Sequence, residues 1–184
     1  MKLNSSTGTS AVNLWPNDSE LRVPKEVKLI AGTLQKNGHQ AYLVGGCLRD
    51  LLLKRTPKDW DVATGATPDE VQKLFSRTEG ETPNGSGGAG TVYENTFGTV
   101  GVKTESDDPK LKVVEVTTFR IEGHYSDLRH PDEVKFAKTI EEDLSRRDFT
   151  VNALALSLAE GIADPLVDPH EGVADLKKKV IRAV

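Results

Sequence analysis

Two aspartates one residue apart, Asp59 and Asp61, are well suited to hold a metal ion. Side chains of a β-strand alternate between its faces, so a strand here points both carboxylates to one side and Trp60 to the opposite, core side. Magnesium is usually held by a few carboxylates together with substrate phosphates. Two such ions polarise an attacking hydroxyl and neutralise a leaving pyrophosphate. The pair predicts a metal site for nucleotidyl transfer, although an isolated Asp-x-Asp pair is more often a solvated turn or a helix cap.

A glycine pair, Gly45 and Gly46, stands between a short apolar run and a helical pattern. Backbone N–H groups without side chains, at the positive end of a helix dipole, admit phosphate groups closely. Arg49, one turn into the helix, adds a charge-assisted contact. Twelve residues separate Gly46 from Asp59, so one helix and a turn bring the chain back. We expect the phosphate site and the metal carboxylates to converge, whereas the glycine pair alone would indicate only a turn.

A third carboxylate, Glu115, interrupts an otherwise apolar strand pattern, in which an unpaired acid is costly. Metal ligation is one way to satisfy this acid, and pairing with Arg120 or Lys103 is the alternative.

A second charged cluster, Arg146, Arg147 and Asp148, falls within a helical pattern, with Asn152 four residues after Asp148. Residues at that spacing lie on one side of a helix. The cluster has the groups to grip a triphosphate and to read ribose hydroxyls. The alternative is an ordinary solvated helix face.

The elements that must position these residues follow from apolar periodicity. Helical spacing predicts a helix between Pro24 and Gly38, and Thr67 has the position of a helix cap, followed by Pro68. The first half of the chain is then predicted as a strand over 41–44, a helix over 48–53, a strand over 60–63, a helix from 68, and strands over 96–103 and 112–119.

The second half is predicted to contain a long helix over 140–159, with Thr139 as its cap and an apolar face. A short edge strand or turn over 162–165 and a helix over 173–184 follow. Polar segments over 79–90 and 123–138 are interpreted as mobile loops. His124 and His130, in the second of them, are interpreted as solvated.

Composition restricts the class of protein. The net charge is −4 and the isoelectric point about 5.6, so the whole surface is not one that grips nucleic acid. The single cysteine, Cys47, cannot form an intramolecular disulfide and is most simply a packing residue. No window reaches the roughly 18 consecutive apolar residues of a membrane helix. These features predict a soluble, cytoplasmic protein without a transmembrane role.

Five strings of sequence together resemble the head domain of the bacterial-type tRNA nucleotidyltransferase (CCA-adding enzyme) and poly(A) polymerase family. They are, in chain order, YLVGGCLRDLLL, DWDVAT, VEVTTFR, EEDLSRRDFTVNALAL and IADPLVDPHEGVADLKKKVIRAV. The resemblance implies an α/β (α+β) fold with a small mixed β-sheet flanked by helices, like the polymerase β head, and the start of an all-helical neck. It divides the chain into a flexible lead-in (1–22), a catalytic head (23–160) and a truncated head–neck junction (161–184).

The resemblance also implies roles for single residues. Asp59 and Asp61 correspond to the ligands of two Mg²⁺ ions, and Glu115 to the third catalytic carboxylate. The nucleotide-binding positions correspond to Gly45, Gly46, Arg49, Arg147 and Asp148. Asp50 is interpreted as a structural residue of the turn.

The resemblance favours the CCA-adding branch of the family. The poly(A) branch usually has a basic Gly-Arg-Arg-Phe-type segment and a histidine-containing strand after the aspartates. Here an acidic, glycine-rich loop leads to Phe97–Val100 instead. The expected substrates are CTP, ATP and the 3′ end of tRNA, although the base-selecting neck motif is not present in this sequence. Poly(A) addition, or nucleotide binding without turnover, stays open, whereas a glycosyltransferase does not account for the arginine cluster.

Overall fold

The computed structural model describes residues 21–76, 90–94, 97–121, 135–159 and 161–184, with the backbone alone at 92–94. The lead-in before residue 21 and most of both predicted loops lie outside these ranges, as do His124 and His130. The helices are α1 (Lys25–Lys36), α2 (Gly45–Leu52), α3 (Pro68–Phe75), α4 (Ile140–Leu144) and α5 (Gly172–Lys178). The strands are β1 (Ala41–Val44), β2 (Asp61–Thr64), β3 (Thr91–Glu94), β4 (Thr99–Lys103), β5 (Val113–Thr118), β6 (Arg120–Ile121), β7 (Lys135–Phe136), β8 (Ala155–Ser157) and β9 (Leu166–Val167).

Seven of the described strands form one sheet in the order β3-β4-β5-β2-β1-β8-β9. Strands β2 and β5 run parallel, and the other neighbours in this sheet are antiparallel. Strands β6 and β7 form a separate two-stranded ribbon. The predicted fold, a mixed sheet flanked by helices, is confirmed.

Local sequence signals account for the first helices. Helix α1 buries an apolar stripe that includes Val27, Ile30 and Leu34, and the chain turns at Gly38 with φ 87°. Helix α3 begins with a capping box, in which Thr67 accepts a hydrogen bond from the N–H of Glu70 while the Glu70 side chain accepts from the N–H of Thr67. The predicted boundaries of these elements are confirmed to within a few residues.

The sheet separates two groups of buried side chains. The larger core lies on the face covered by α1, α2 and α3, and it includes Trp60, which is 5% exposed. The smaller core lies under α4 and includes Val44, Ala63 and Leu144. Because Val44 and Ala63 alternate with residues of the larger core, the α4 face is also the face on which Asp61 emerges.

The predicted long helix over 140–159 is wrong. Helix α4 ends at Leu144, a 3-10 turn spans Thr150–Asn152, and the chain then enters strand β8, which pairs with β1. The N–H of Thr150 donates to the carbonyl of Arg182. Long-range pairing with β1 and with the C-terminal residues therefore replaces the helical hydrogen bonds that local propensity favours.

The predicted C-terminal helix is right only as far as Lys178. Lys179 adopts the left-handed conformation with φ 58°, which ends the helix. Residues 180–184, here named the C-terminal strap, run back along the residues that precede β8. Ala183 forms a β-bridge with Phe149, and the N–H of Val184 donates to the carbonyl of Asp148 over 3.3 Å.

Smaller differences concern strand ends. The strand predicted from residue 96 begins at Thr99, and β3 was not predicted. Part of the predicted loop over 123–138 forms strand β7. Among the described residues, no helix is long and apolar enough to cross a membrane.

Candidate active site

The parallel pairing of β2 and β5 places Asp61 directly beside Glu115. Burial and, after it, the negative charges of Asp59 and Glu115 together raise the pKa of Asp61 to about 6, against the opposing positive charge of Arg147. The structure therefore places two of the predicted acids, Asp59 and Glu115, close enough to the third, Asp61, for their charges to act on it.

The structure differs from the sequence-based expectation for two of these acids. Strand β2 begins at Asp61, so Asp59 is not on the strand but in an exposed bend before it, and strand alternation does not place it. Glu115 lies on the exposed face of β5, between the buried Val114 and Val116, so it is not a buried acid that requires a partner. Its position beside Asp61 comes from register rather than from burial.

The acid cluster fits a divalent cation by the chemistry of its donors. In the described part of the chain, no group of three or more His, Cys, Asp or Glu side chains is arranged so that it could hold a metal ion by itself. Magnesium, however, commonly takes only one or two protein carboxylates and completes its shell with substrate phosphates and water. Burial is the largest cause of the raised pKa of Asp61 and the negative charges of Asp59 and Glu115 come next, and a bound cation would compensate that charge. Asp59 and Asp61 are the residues that would hold it.

The turn at Gly45 faces this acid cluster. Gly45 has φ 70°, a conformation in which a side chain is strained. A Cβ built there would lie 3.2 Å from Nη1 of Arg147 and 3.6 Å from Oδ2 of Asp61. Gly45 is therefore glycine for two reasons, its conformation and the close approach of two charged side chains. The predicted convergence of the glycine turn and the acids is present in the structure.

Arg147 is held toward this turn by Asp143, a residue that the sequence argument missed. Asp143 is 1% exposed and accepts hydrogen bonds from Arg146 at 2.8 Å and from Arg147 at 3.0 Å. Burial alone would raise the pKa of Asp143, but the two guanidinium groups outweigh it and lower the pKa. Its spacing from the arginines, three and four residues, is the sequence signal by which this ion-pair partner could have been found.

Arg49 lies beside Gly46 but has several partners of its own. Its Nε and Nη2 donate to Oδ1 of Asp50, and its Nη1 donates to Oδ1 of Asn152 over 2.8 Å. Asn152 in turn donates to Asp148, which is exposed. The predicted phosphate-binding arginine and ribose-binding acid are thus joined through one amide.

A cavity of about 660 Å³ opens next to this group. Its walls combine apolar and charged side chains that come from α2 and the residues after it, from residues 148–152, and from the end of α5 and the start of the C-terminal strap. They are formed by Arg49, Leu53, Arg55, Asp148, Phe149, Val151, Asn152, Leu176, Lys179, Val180 and Ile181. A space of this size and mixed polarity is typical of a site for a small organic ligand.

Comparison with known families places the chain. The model of the poly A polymerase head domain matches residues 41–182. The chain belongs to this family.

Curated proteins with similar sequences include CCA-adding enzymes. That of Listeria monocytogenes is 45% identical over 149 residues, which cover 80% of this chain and 32% of the relative. That of Lactobacillus delbrueckii subsp. bulgaricus is 42% identical over 151 residues, which cover 82% and 33%. The chain therefore spans about one third of the length of these curated relatives.

Solved structures show the same fold. The Bacillus stearothermophilus CCA-adding enzyme in complex with CTP matches with a TM-score of 0.65 and 33% identity, over 86% of this chain and 32% of that chain. A tRNA nucleotidyltransferase complexed with a primer tRNA and an incoming ATP analog matches with a TM-score of 0.60 and 32% identity, over 84% and 38%.

Proposed function

We propose that the chain is the catalytic head of a metal-dependent, template-independent RNA nucleotidyltransferase. It transfers CMP and AMP from CTP and ATP to the 3′ end of tRNA and releases pyrophosphate. The observation that carries this proposal is the convergence of Asp61 and Arg147 on the turn at Gly45, with Glu115 beside Asp61 in the neighbouring strand. Acids for a cation and donors for phosphates thus share one side of the sheet.

The phosphates of the nucleotide are bound by the glycine turn and the arginines. Gly45 and Gly46 offer backbone N–H groups at the start of α2, and the absence of a Cβ lets phosphate oxygens approach. Arg147, fixed by Asp143, supplies positive charge beside Asp61. Arg49 does so beside Gly46.

The acids orient the reacting groups. Asp59 and Asp61 would hold two Mg²⁺ ions, and Glu115 is the third carboxylate of the site. When bound, these ions supply the charge that activates the attacking hydroxyl and neutralises the pyrophosphate. Asp148, exposed at the cavity, accepts hydrogen bonds from the ribose hydroxyls.

The choice of partners rests on the relatives. Their solved complexes contain CTP, a primer tRNA and an ATP analog, and this chain shares their fold. We infer the same partners here, a cytoplasmic location and no membrane partner.

Transfer to tRNA tests the proposal directly. The chain is incubated with Mg²⁺, CTP, ATP and tRNA lacking its terminal CCA, and the products are sequenced. Addition of CCA supports the proposal, and a long run of adenosines supports the poly(A) activity that the family's description names. Calorimetry with CTP and ATP is run beside it. Binding without product indicates a nucleotide-binding module, and neither binding nor product overturns the proposal.

A further inference from the structure

Asn152 lies between two charged residues and contacts both. Nη1 of Arg49 donates to Oδ1 of Asn152 over 2.8 Å, and Nδ2 of Asn152 donates to Oδ1 of Asp148 over 3.3 Å. The first contact joins residues 103 apart in the sequence, so the fold creates it rather than local geometry. The amide is a bridge between helix α2 and the residues before the 3-10 turn.

The chemistry of the three groups dictates how this amide is oriented. A guanidinium carries donors only, and an ionised carboxylate accepts only. The amide oxygen must therefore face Arg49, and the amide N–H must face Asp148. An apolar residue at this position offers neither group, and an aspartate offers only the acceptor.

For Arg49, the bridge is one of two lateral supports. Its Nε and Nη2 donate to Oδ1 of Asp50 at 3.0 and 2.9 Å, on the side away from Asn152. A planar guanidinium held from two sides has little freedom left, so its remaining N–H groups keep a fixed direction. Nη2 would lie 3.5 Å from a Cβ on Gly46, which places the group at the phosphate turn.

For Asp148, the hydrogen bond from Asn152 is made to one carboxylate oxygen, Oδ1, and not to the other, Oδ2. Both the N–H of Phe149, at 2.8 Å, and Nδ2 of Asn152 donate to Oδ1. No described residue donates to Oδ2, which remains available to a hydroxyl of a ligand. Arg49 and Asp148 thus each have the neutral amide of Asn152 as a hydrogen-bond partner.

We propose that Asn152 is a positioning residue that fixes Arg49 for the triphosphate and Asp148 for the ribose of one nucleotide. The inference rests on the proposed function, because it takes a nucleoside triphosphate as the ligand. In this role Asn152 acts through Arg49 and Asp148 rather than by its own contact with the nucleotide. It couples recognition of the phosphates to recognition of the sugar through the two residues that it holds.

Calorimetry with three probes separates the two roles. Inorganic triphosphate reports the Arg49 side alone, and the ratio of affinities for ATP and 2′-deoxyATP reports the Asp148 side. All titrations use the whole chain with Mg²⁺. We expect Asn152→Ala to weaken inorganic triphosphate binding about 10-fold, the effect of one hydrogen bond to a charged group. The same variant should reduce the preference for ATP over 2′-deoxyATP by a similar factor.

Double variants test whether Asn152 acts through its partners. In an Arg49→Ala background, Asn152→Ala should have no further effect on inorganic triphosphate binding. In an Asp148→Ala background, it should have no further effect on the sugar preference. A full, additive loss in both backgrounds would show an independent structural role and overturn the inference.

Asn37→Ala is the matched control. The side-chain amide of Asn37 donates to the carbonyl of Thr33 at the end of α1. The Asn37→Ala variant therefore also loses one hydrogen bond of an asparagine side chain, but away from the site. We expect both readouts to stay within about twofold of wild type. Equal losses in Asn37→Ala would overturn the inference, as would unchanged readouts in Asn152→Ala. If the wild-type chain binds neither ATP nor CTP, the proposed function fails as well, whereas a failure confined to the variants leaves it intact.

Discussion

Asp61 is a residue on which stability and the proposed chemistry make opposite demands. Burial, with the negative charges of Asp59 and Glu115, raises its pKa to about 6. An unfolded aspartate has a pKa near 4, so the folded chain holds this proton more tightly than the unfolded chain does. Folding is therefore unopposed by Asp61 below about pH 4. Its charge opposes folding increasingly as the pH rises through 6.

We predict that Asp61→Asn abolishes transfer yet stabilises the fold. At pH 7.5 in EDTA, the free energy of unfolding should rise by about 1 to 3 kcal/mol, because a crowded, half-buried charge is removed. Urea titrations at pH 7.5 and pH 4.5 check this, and the gain should shrink at the lower pH. Asp107→Asn, at an exposed bend, is the control and should change stability by less than about 0.5 kcal/mol. An Asp61→Asn protein less stable than wild type at pH 7.5 would contradict the prediction.

Asp143 is the reverse case. Its lowered pKa means that its stabilising effect is complete above about pH 4 and is lost as the pH falls through that lowered pKa. Asp143→Asn should therefore cost about 3 to 5 kcal/mol at pH 7, because it leaves Arg146 and Arg147 without their buried partner. Urea titrations at pH 7 and pH 3.5 should show the difference from wild type narrowing in acid. A constant difference across this range would argue against the ion pair as its cause.

At the scale of elements, helix α5 packs directly against the 3-10 turn, where Gly172 contacts the backbone of Thr150. A Cβ on Gly172 would overlap the carbonyl oxygen of Thr150. The hydroxyl of Thr150 donates to Asp175 of α5 over 2.7 Å, and Arg182 of the strap donates to the same carboxylate. The contact therefore holds three segments at the cavity: α5, the turn and the strap.

Gly172→Ala should separate these segments. We predict a loss of about 1 to 3 kcal/mol in the free energy of unfolding, from overpacking, together with weaker nucleotide binding. Gly32→Ala is the matched control: Gly32 lies within α1, and a Cβ there has nothing within 4 Å. It should gain about 0.5 to 1 kcal/mol, the usual effect of replacing a helical glycine. Chemical denaturation of both variants and calorimetry with ATP decide the matter.

The sequence predicted the elements whose structure depends on residues nearby in the chain. It did not predict those whose structure depends on hydrogen bonds to distant segments. The stripe of α1 and the capping box at Thr67 are local signals, so both were predicted. Residues 145–157 carry a helical pattern, yet pairing of β8 with β1 and of Thr150 with the strap determines their structure. The same division applies to the site. The Gly45 turn and Asp61 were found by spacing, whereas the contact between Arg49 and Asn152 joins segments that no local pattern connects.

At the scale of the whole molecule, the proposed ligands should stabilise the fold. A ligand that binds only the folded state adds about 2.7 kcal/mol when present at 100 times its Kd. For a chain of this size, we predict that ATP with Mg²⁺ raises Tm by several °C. ATP with EDTA should raise it less, and Asp61→Asn should respond equally in both conditions. Differential scanning calorimetry measures these shifts, and identical shifts of the wild type with and without Mg²⁺ would exclude metal-assisted binding.

The parallel pairing of β2 with β5 also sets when the site can exist during synthesis. Helix α3 and strands β3 and β4 lie between the two strands in the sequence, so Asp61 leaves the ribosome well before Glu115. Pairings between such distant segments form slowly, because a long loop must close first. The cavity forms later still, because Val180 and Ile181, near the end of the chain, form part of its wall. A nascent chain therefore lacks the complete cavity, and with it the proposed nucleotide site, until almost all of these 184 residues have been translated.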